Sequence, residues 1–158
     1  MSGPRGPRDE EEGDVRDDQV TGLAVETAAP GVRLVRVTGR LDRRGAEAIG
    51  RLVDAQRACG TAPAHVVLDL GGVGEFDGAA TETLGEVAAR SRDGGVRVHL
   101  AGCGGRAELL PLRAHEVLLR CSAYPSAEAA VRDLTGRAAV PRPRAAARGG
   151  FAGAAPAG

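Results

Sequence analysis

The chain has no lysine, no asparagine and no tryptophan among its 158 residues. Each absence closes a route. Without lysine there is no GxxxxGK[ST] phosphate loop and no amine for a Schiff base. All 21 cations are arginine, and 21 acids balance them to a formal charge of zero. A neutral chain has no net field to draw it to nucleic acid or to an anionic membrane. Phe76, Tyr124 and Phe151 are the whole aromatic content, too little for a platform that stacks single-stranded bases. Cys59, Cys103 and Cys121 form no CxxC, so neither a zinc knuckle nor a disulfide framework is suggested. No apolar run reaches the roughly 18 residues of a membrane span, and the N-terminus has no signal-like apolar region. These observations predict a soluble, cytoplasmic, single-domain protein without metal or cofactor.

The two ends are expected to be disordered tails. Residues 1–20 carry seven acids and three arginines, a local charge of −4. Residues 137–158 carry Arg137, Arg142, Arg144 and Arg148 among Ala, Gly and Pro, a local charge of +4. Neither has the apolar surface that offsets ordering entropy.

Residues 21–136 remain as the folding domain. Strands are predicted at Thr21–Thr27, Val32–Val37, His65–Leu70, Val96–Leu100 and Val117–Cys121. The third is nearly all apolar, which suits a strand buried on both faces. Helices fall between them. Ala46, Ile49, Leu52, Val53 and Gln56 trace one face; Ala80, Thr83, Leu84, Val87 and Ala88 trace another. Glu47 with Arg51, and Glu86 with Arg90, are spaced to pair. Ser126 is suited to cap a last helix through Ala130, Val131 and Leu134. The order predicts an α/β fold: a mixed sheet of about five strands with three to four helices against it.

Most reactive side chains are poorly placed for chemistry. Gly102-Cys103-Gly104-Gly105-Arg106-Ala107 spells GxGxxA after a strand, but the next strand ends without the acid a dinucleotide fold requires. Pro111 interrupts the helix that should follow. Ser2, Ser91, Ser122 and Ser126 are the only serines, and none lies in GxSxG. His65 and His99 sit in or beside apolar strands and read as structural. Cys103 would gain thiolate character if it headed a helix. Asp69 and Asp77 lie near a strand's end, where sites often form.

The strongest signal is at 65–88. A buried strand leads through Gly71-Gly72-Val73-Gly74, read as a bridge, to Asp77 and a helix. Asp77 is suited to cap that helix, with its carboxylate accepting the amides two and three residues on. Gly78, Ala79 and Ala80 then give a flat surface of close approach.

These pieces resemble the STAS domain of anti-sigma factor antagonists, over roughly residues 21–136. Gly39-Arg40-Leu41-Asp42 is similar to the family's GELD turn. His65–Leu70 with Val73 is similar to its central strand. Phe76-Asp77, with Leu84 behind, is similar to its D-S-S-G segment. Leu109-Leu110, the 117–121 strand and the last helix fall in the family's closing order. The resemblance implies a non-catalytic protein whose partner is a histidine-kinase-like Ser/Thr kinase acting as anti-sigma factor. In the family the first serine of that segment is phosphorylated. Here Gly78 occupies that position and has no hydroxyl, Ala79 replaces the second serine and Ala80 the glycine. Thr81 is the substitute acceptor to consider, with Thr83 expected to be buried. The implied partner surface comprises Asp42, Arg43, Arg44, Asp77, Gly78, Ala79, Thr81 and Arg106. Pro111, and the lack of glycine at 115–116, depart from the family pattern. Other readings are a STAS subunit of a transporter or signalling assembly, a nucleotide or small-ligand sensor using the Gly78-Ala79 amides, and a thiol redox protein through Cys103.

Overall fold

The computed structural model describes residues 20–104, 116, 117 and 120–138. Its elements run β1 (Gly22–Ala29), β2 (Val32–Leu41), α1 (Arg43–Ala58), β3 (His65–Phe76), α2 (Gly78–Asp93), β4 (Arg97–Ala101), β5 (Ser122–Tyr124) and α3 (Ala127–Ala138). The five strands form one sheet in the order β1-β2-β3-β4-β5. β1 and β2 are antiparallel, turning at Pro30-Gly31; all the other neighbours are parallel. The predicted mixed α/β architecture is therefore the fold.

Alternation along the strands divides the core into two layers. Val35, Val37, Val66, Leu68, Leu70, Val98 and Leu100 point to one face. There they meet Ala46, Ile49 and Val53 of α1 and Ala80, Leu84 and Val87 of α2. Val32, Leu34, Val67 and Ala101 point to the other, against Ala127, Ala130 and Leu134 of α3. β3 is buried on both faces because helices cover both, which accounts for its nearly unbroken apolar run. Burying a Val, Leu or Ile side chain contributes about 1.5–3 kcal/mol, so the two layers supply most of the driving force. α1 and α2 also pack on each other at Gly50, where an added Cβ would lie 2.9 Å from a Val87 methyl.

Several sequence expectations are corrected. The Gly71–Gly74 bridge is strand: β3 continues to Phe76 because β2 continues to Leu41 and pairs with it, Gly72 opposite Thr38 and Phe76 opposite Leu41. The fifth strand is Ser122–Tyr124, not Val117–Cys121. Glu116, Val117 and Arg120 are helical, and Val117 lies over α2, 2.8 Å from the point a Gly85 Cβ would occupy. Glu47 pairs with Arg43 at 3.0 Å. Arg90 crosses to Asp54 of α1 at 3.2 Å. Arg137, assigned to the tail, is in α3 and pairs with Asp133 at 3.1 Å. Arg106, Leu109, Leu110 and Pro111 lie outside the described residues.

Candidate functional site: the paired starts of two helices

β2 and β3 run parallel and end in register, so the helices that follow begin side by side. The Asp77 amide donates to the Leu41 carbonyl at 3.0 Å. This bond places Asp42 and Asp77, the caps of α1 and α2, at one end of the sheet. Each cap works as its type predicts. The Asp42 carboxylate accepts the Gly45 amide at 2.8 Å, and that of Asp77 accepts the Ala79 amide at 3.1 Å. Both residues are extended, at φ −102° and −93°, and the helix begins one residue later. A negative side chain at each helix start also complements the positive end of the helix dipole.

Of the predicted surface residues that are described, all but the buried Thr81 lie at these two helix starts. Arg43 and Arg44 are exposed on the first turn of α1; Asp77, Gly78 and Ala79 are exposed on α2. A Cβ added at Gly78 would meet nothing within 4 Å. That position is open to whatever docks, and its lack of a side chain is not enforced by crowding.

The two threonines are exchanged relative to expectation. Thr81 is 6% exposed, and its hydroxyl donates to the Asp77 carbonyl at 3.4 Å. Thr83 is half-buried, its hydroxyl bonded to the Ala79 carbonyl at 3.0 Å. The buried stripe of α2 is Ala80, Thr81, Leu84, Val87, Ala88 and Ser91. That stripe faces α1 and β4, the elements α2 packs against, and it includes Thr81 and leaves Thr83 at its margin. A substitute acceptor at Thr81 is therefore enclosed by its own helix.

Asp69 forms no pair with Asp77. Its carboxylate accepts the Gly71 amide at 3.0 Å and lies 3.7 Å from Arg36, which also holds Glu26 at 3.2 Å. Gly102 turns tightly over this group at φ +76°; a Cβ there would fall 2.7 Å from the Gly71 nitrogen. The GxG seen in sequence thus serves a turn against β3 at its first glycine.

The histidines form a pair that the sequence did not reveal. His65 Nδ1 and His99 Nε2 are 3.0 Å apart, on the α3 face of the sheet. Their adjacency follows from the parallel β3–β4 register, which no single-strand pattern shows. Burial, then the charges of His65 and Arg97, lower the His99 pKa to about 4. Burial and Arg97 also lower that of His65. Beside them Tyr124 donates to Asp133 at 2.8 Å. Cys121 is buried, and that burial pushes its thiol pKa up, which opposes thiolate chemistry.

The described residues thus form an α/β domain that presents two adjacent helix starts. A family model described as "Mlab, STAS domain" matches residues 25–113, more than half of the chain. The chain belongs to the STAS family. Solved structures agree on the fold. A form of Moorella thermoacetica RsbS is 15% identical, with a TM-score of 0.59 over 73% of this chain and 97% of its own. A sulfate transporter family protein from Wolinella succinogenes is 17% identical, with a TM-score of 0.57 over 70% and 89%. An anti-sigma factor antagonist from Mycobacterium paratuberculosis is 21% identical, with a TM-score of 0.56 over 73% and 95%. Identities this low carry the fold and not a shared activity. No curated protein matches the chain. No helix among the described residues is long and apolar enough to cross a membrane.

Proposed function

We propose that this chain is a non-catalytic STAS protein that binds a kinase-type anti-sigma factor through the starts of α1 and α2, unregulated by phosphate at position 78. The observation that carries the reading is the Asp77–Leu41 bond, which presents Asp42-Arg43-Arg44 and Asp77-Gly78-Ala79 on one surface. Phosphate on such a surface would add about −1.5 to −2 charge beside two carboxylates and disfavour an acidic contact. Glycine at 78 has no hydroxyl to carry it, so the surface stays in one charge state. The similarity to an anti-sigma factor antagonist supports this partner class. A comparable similarity to a sulfate transporter family protein supports a transporter-subunit role as the second reading.

The test is affinity capture of the tagged full chain from its own cells, with mass spectrometry of what is retained. Arginine is the only tryptic site, so one peptide, residues 58–90, covers Thr61, Thr81 and Thr83. Retention of a kinase-type anti-sigma factor with that peptide unmodified is the expected result. Retention of a transporter instead, or phosphate on the peptide, contradicts the proposal.

A further inference from the structure

Among the described residues, β1 is the edge of the sheet, with β2 on one side only. Its outer row of amides and carbonyls is a template for another strand. Natural edges are usually blunted by lysine, proline, charge or a central bulge. β1 has little of this. Its sequence, GLAVETAA, contains one charge, Glu26, which Arg36 neutralises at 3.2 Å. Its irregularity falls between Thr27 and Ala29, so Gly22 to Thr27 run in regular register. Among the described residues, the large apolar side chains left exposed are Val20 and Val25, at 80% and 41%. Both belong to β1 or to its lead-in. Val25 lies opposite Val35, on the α1–α2 face of the sheet.

We propose that the outer edge of β1 pairs with β1 of a second copy of this chain, antiparallel about a twofold axis at Val25, giving one continuous ten-stranded sheet. The strand is self-complementary in that register. Val25 meets Val25 of the second copy, Glu26 meets Ala24, and Thr27 meets Leu23. The valine pair covers apolar surface that the monomer exposes, and no like charges stand directly opposite. An isologous contact of this kind closes on itself, so it stops at two. The chain's own ends are poor competitors for the edge. Residues 1–19 hold seven acids, and residues 139–158 hold Pro141, Pro143 and Pro156. Neither contains an apolar, proline-free alternating stretch like β1 itself.

The experiment is sedimentation equilibrium on the full chain across a concentration series, with Val25→Arg and Val25→Thr variants checked for folding by circular dichroism. The expected result is a mass that doubles with concentration, kept in Val25→Thr and lost in Val25→Arg, where two guanidinium groups would face each other. A Val25→Cys variant in a Cys59→Ser background should be joined into a covalent dimer by a short thiol-reactive cross-linker, since opposed Cβ atoms in such pairs lie about 4.5–5.5 Å apart. A monomer at every concentration would overturn the proposal. So would a dimer that survives Val25→Arg, which places the interface elsewhere. A dimer that forms only after residues 1–19 or 139–158 are removed would also overturn it, because a tail would then hold the edge.

Discussion

The Asp77 amide and the Leu41 carbonyl, 3.0 Å apart, join the end of β2 to the start of α2. Residues 42 and 77, distant in sequence, become neighbouring helix caps through this one backbone bond. The candidate surface is thus built by backbone register and not by a side-chain cluster. Substitutions at its other exposed positions should leave stability nearly unchanged, and changes to its two caps should lower it.

Asp77→Ala and Asp42→Ala should each cost about 1 kcal/mol, because a helix-start amide loses its acceptor. Asparagine at either position keeps the acceptor oxygen and should restore most of the loss. Urea unfolding of the four variants checks this. An alanine variant as stable as the parent would show that its cap does not bear on the fold.

Gly78→Ser should fold with stability within about 0.5 kcal/mol of the parent, since the site is exposed and the added Cβ meets nothing within 4 Å. If the captured partner is a kinase, this variant should gain a phosphate on peptide 58–90 when the parent does not. Thr81 should stay unmodified in both, because it is buried with its hydroxyl turned back to the Asp77 carbonyl. Peptide mass after incubation with that kinase and ATP separates the outcomes.

The histidine pair predicts an acid limb in stability. His99 has its pKa lowered to about 4 in the folded chain, from 6.5. The unfolded chain therefore binds more protons between these values, and stability must fall as pH falls through that window. The contribution is complete above about pH 6.5, with a slope from this group of at most about 1.4 kcal/mol per pH unit. His65, Arg97 and Arg137 oppose a charge on His99, while Asp133 favours one. Thermal unfolding between pH 4 and 7 should show the limb, and His99→Leu should flatten it.

Gly102→Ala should destabilise by at least about 1–2 kcal/mol, since the position has φ +76° and its Cβ would strike the Gly71 nitrogen. Gly104→Ala, two residues on, meets nothing within 4 Å and should change stability by less than about 0.5 kcal/mol. Equal effects of the two would contradict the turn described here.

Much of this fold is written in local pattern. The runs at Val32–Val37 and His65–Leu70 became β2 and β3, and Asp77 and Ser126 cap the helices they precede. The Ser126 hydroxyl accepts the Ala129 amide at 3.1 Å. What local pattern missed depends on tertiary pairing. Gly71–Gly74 has turn composition but is held in a strand by β2. Val117–Cys121 has strand composition but is helical at 117 and 120, and the true strand is three residues with no alternation to read. Thr81 and Thr83 differ by two positions, and only the docking of α2 decides which is enclosed. The His65–His99 contact needs the β3–β4 register, which spans 34 residues. For the site, residues 42–44 and 77–79 were legible as separate turns, but their adjacency was not.

The most direct measurement of the central claim is the affinity of the captured anti-sigma factor for the parent, for Gly78→Asp and for Gly78→Ser, by isothermal titration. A carboxylate at 78 adds a third acid beside Asp42 and Asp77 without touching the core. Gly78→Asp should lose at least about tenfold in affinity, the equivalent of about 1.4 kcal/mol, and Gly78→Ser should change it less. Unchanged affinity in a folded Gly78→Asp variant would contradict the proposal and move the partner surface away from the starts of α1 and α2.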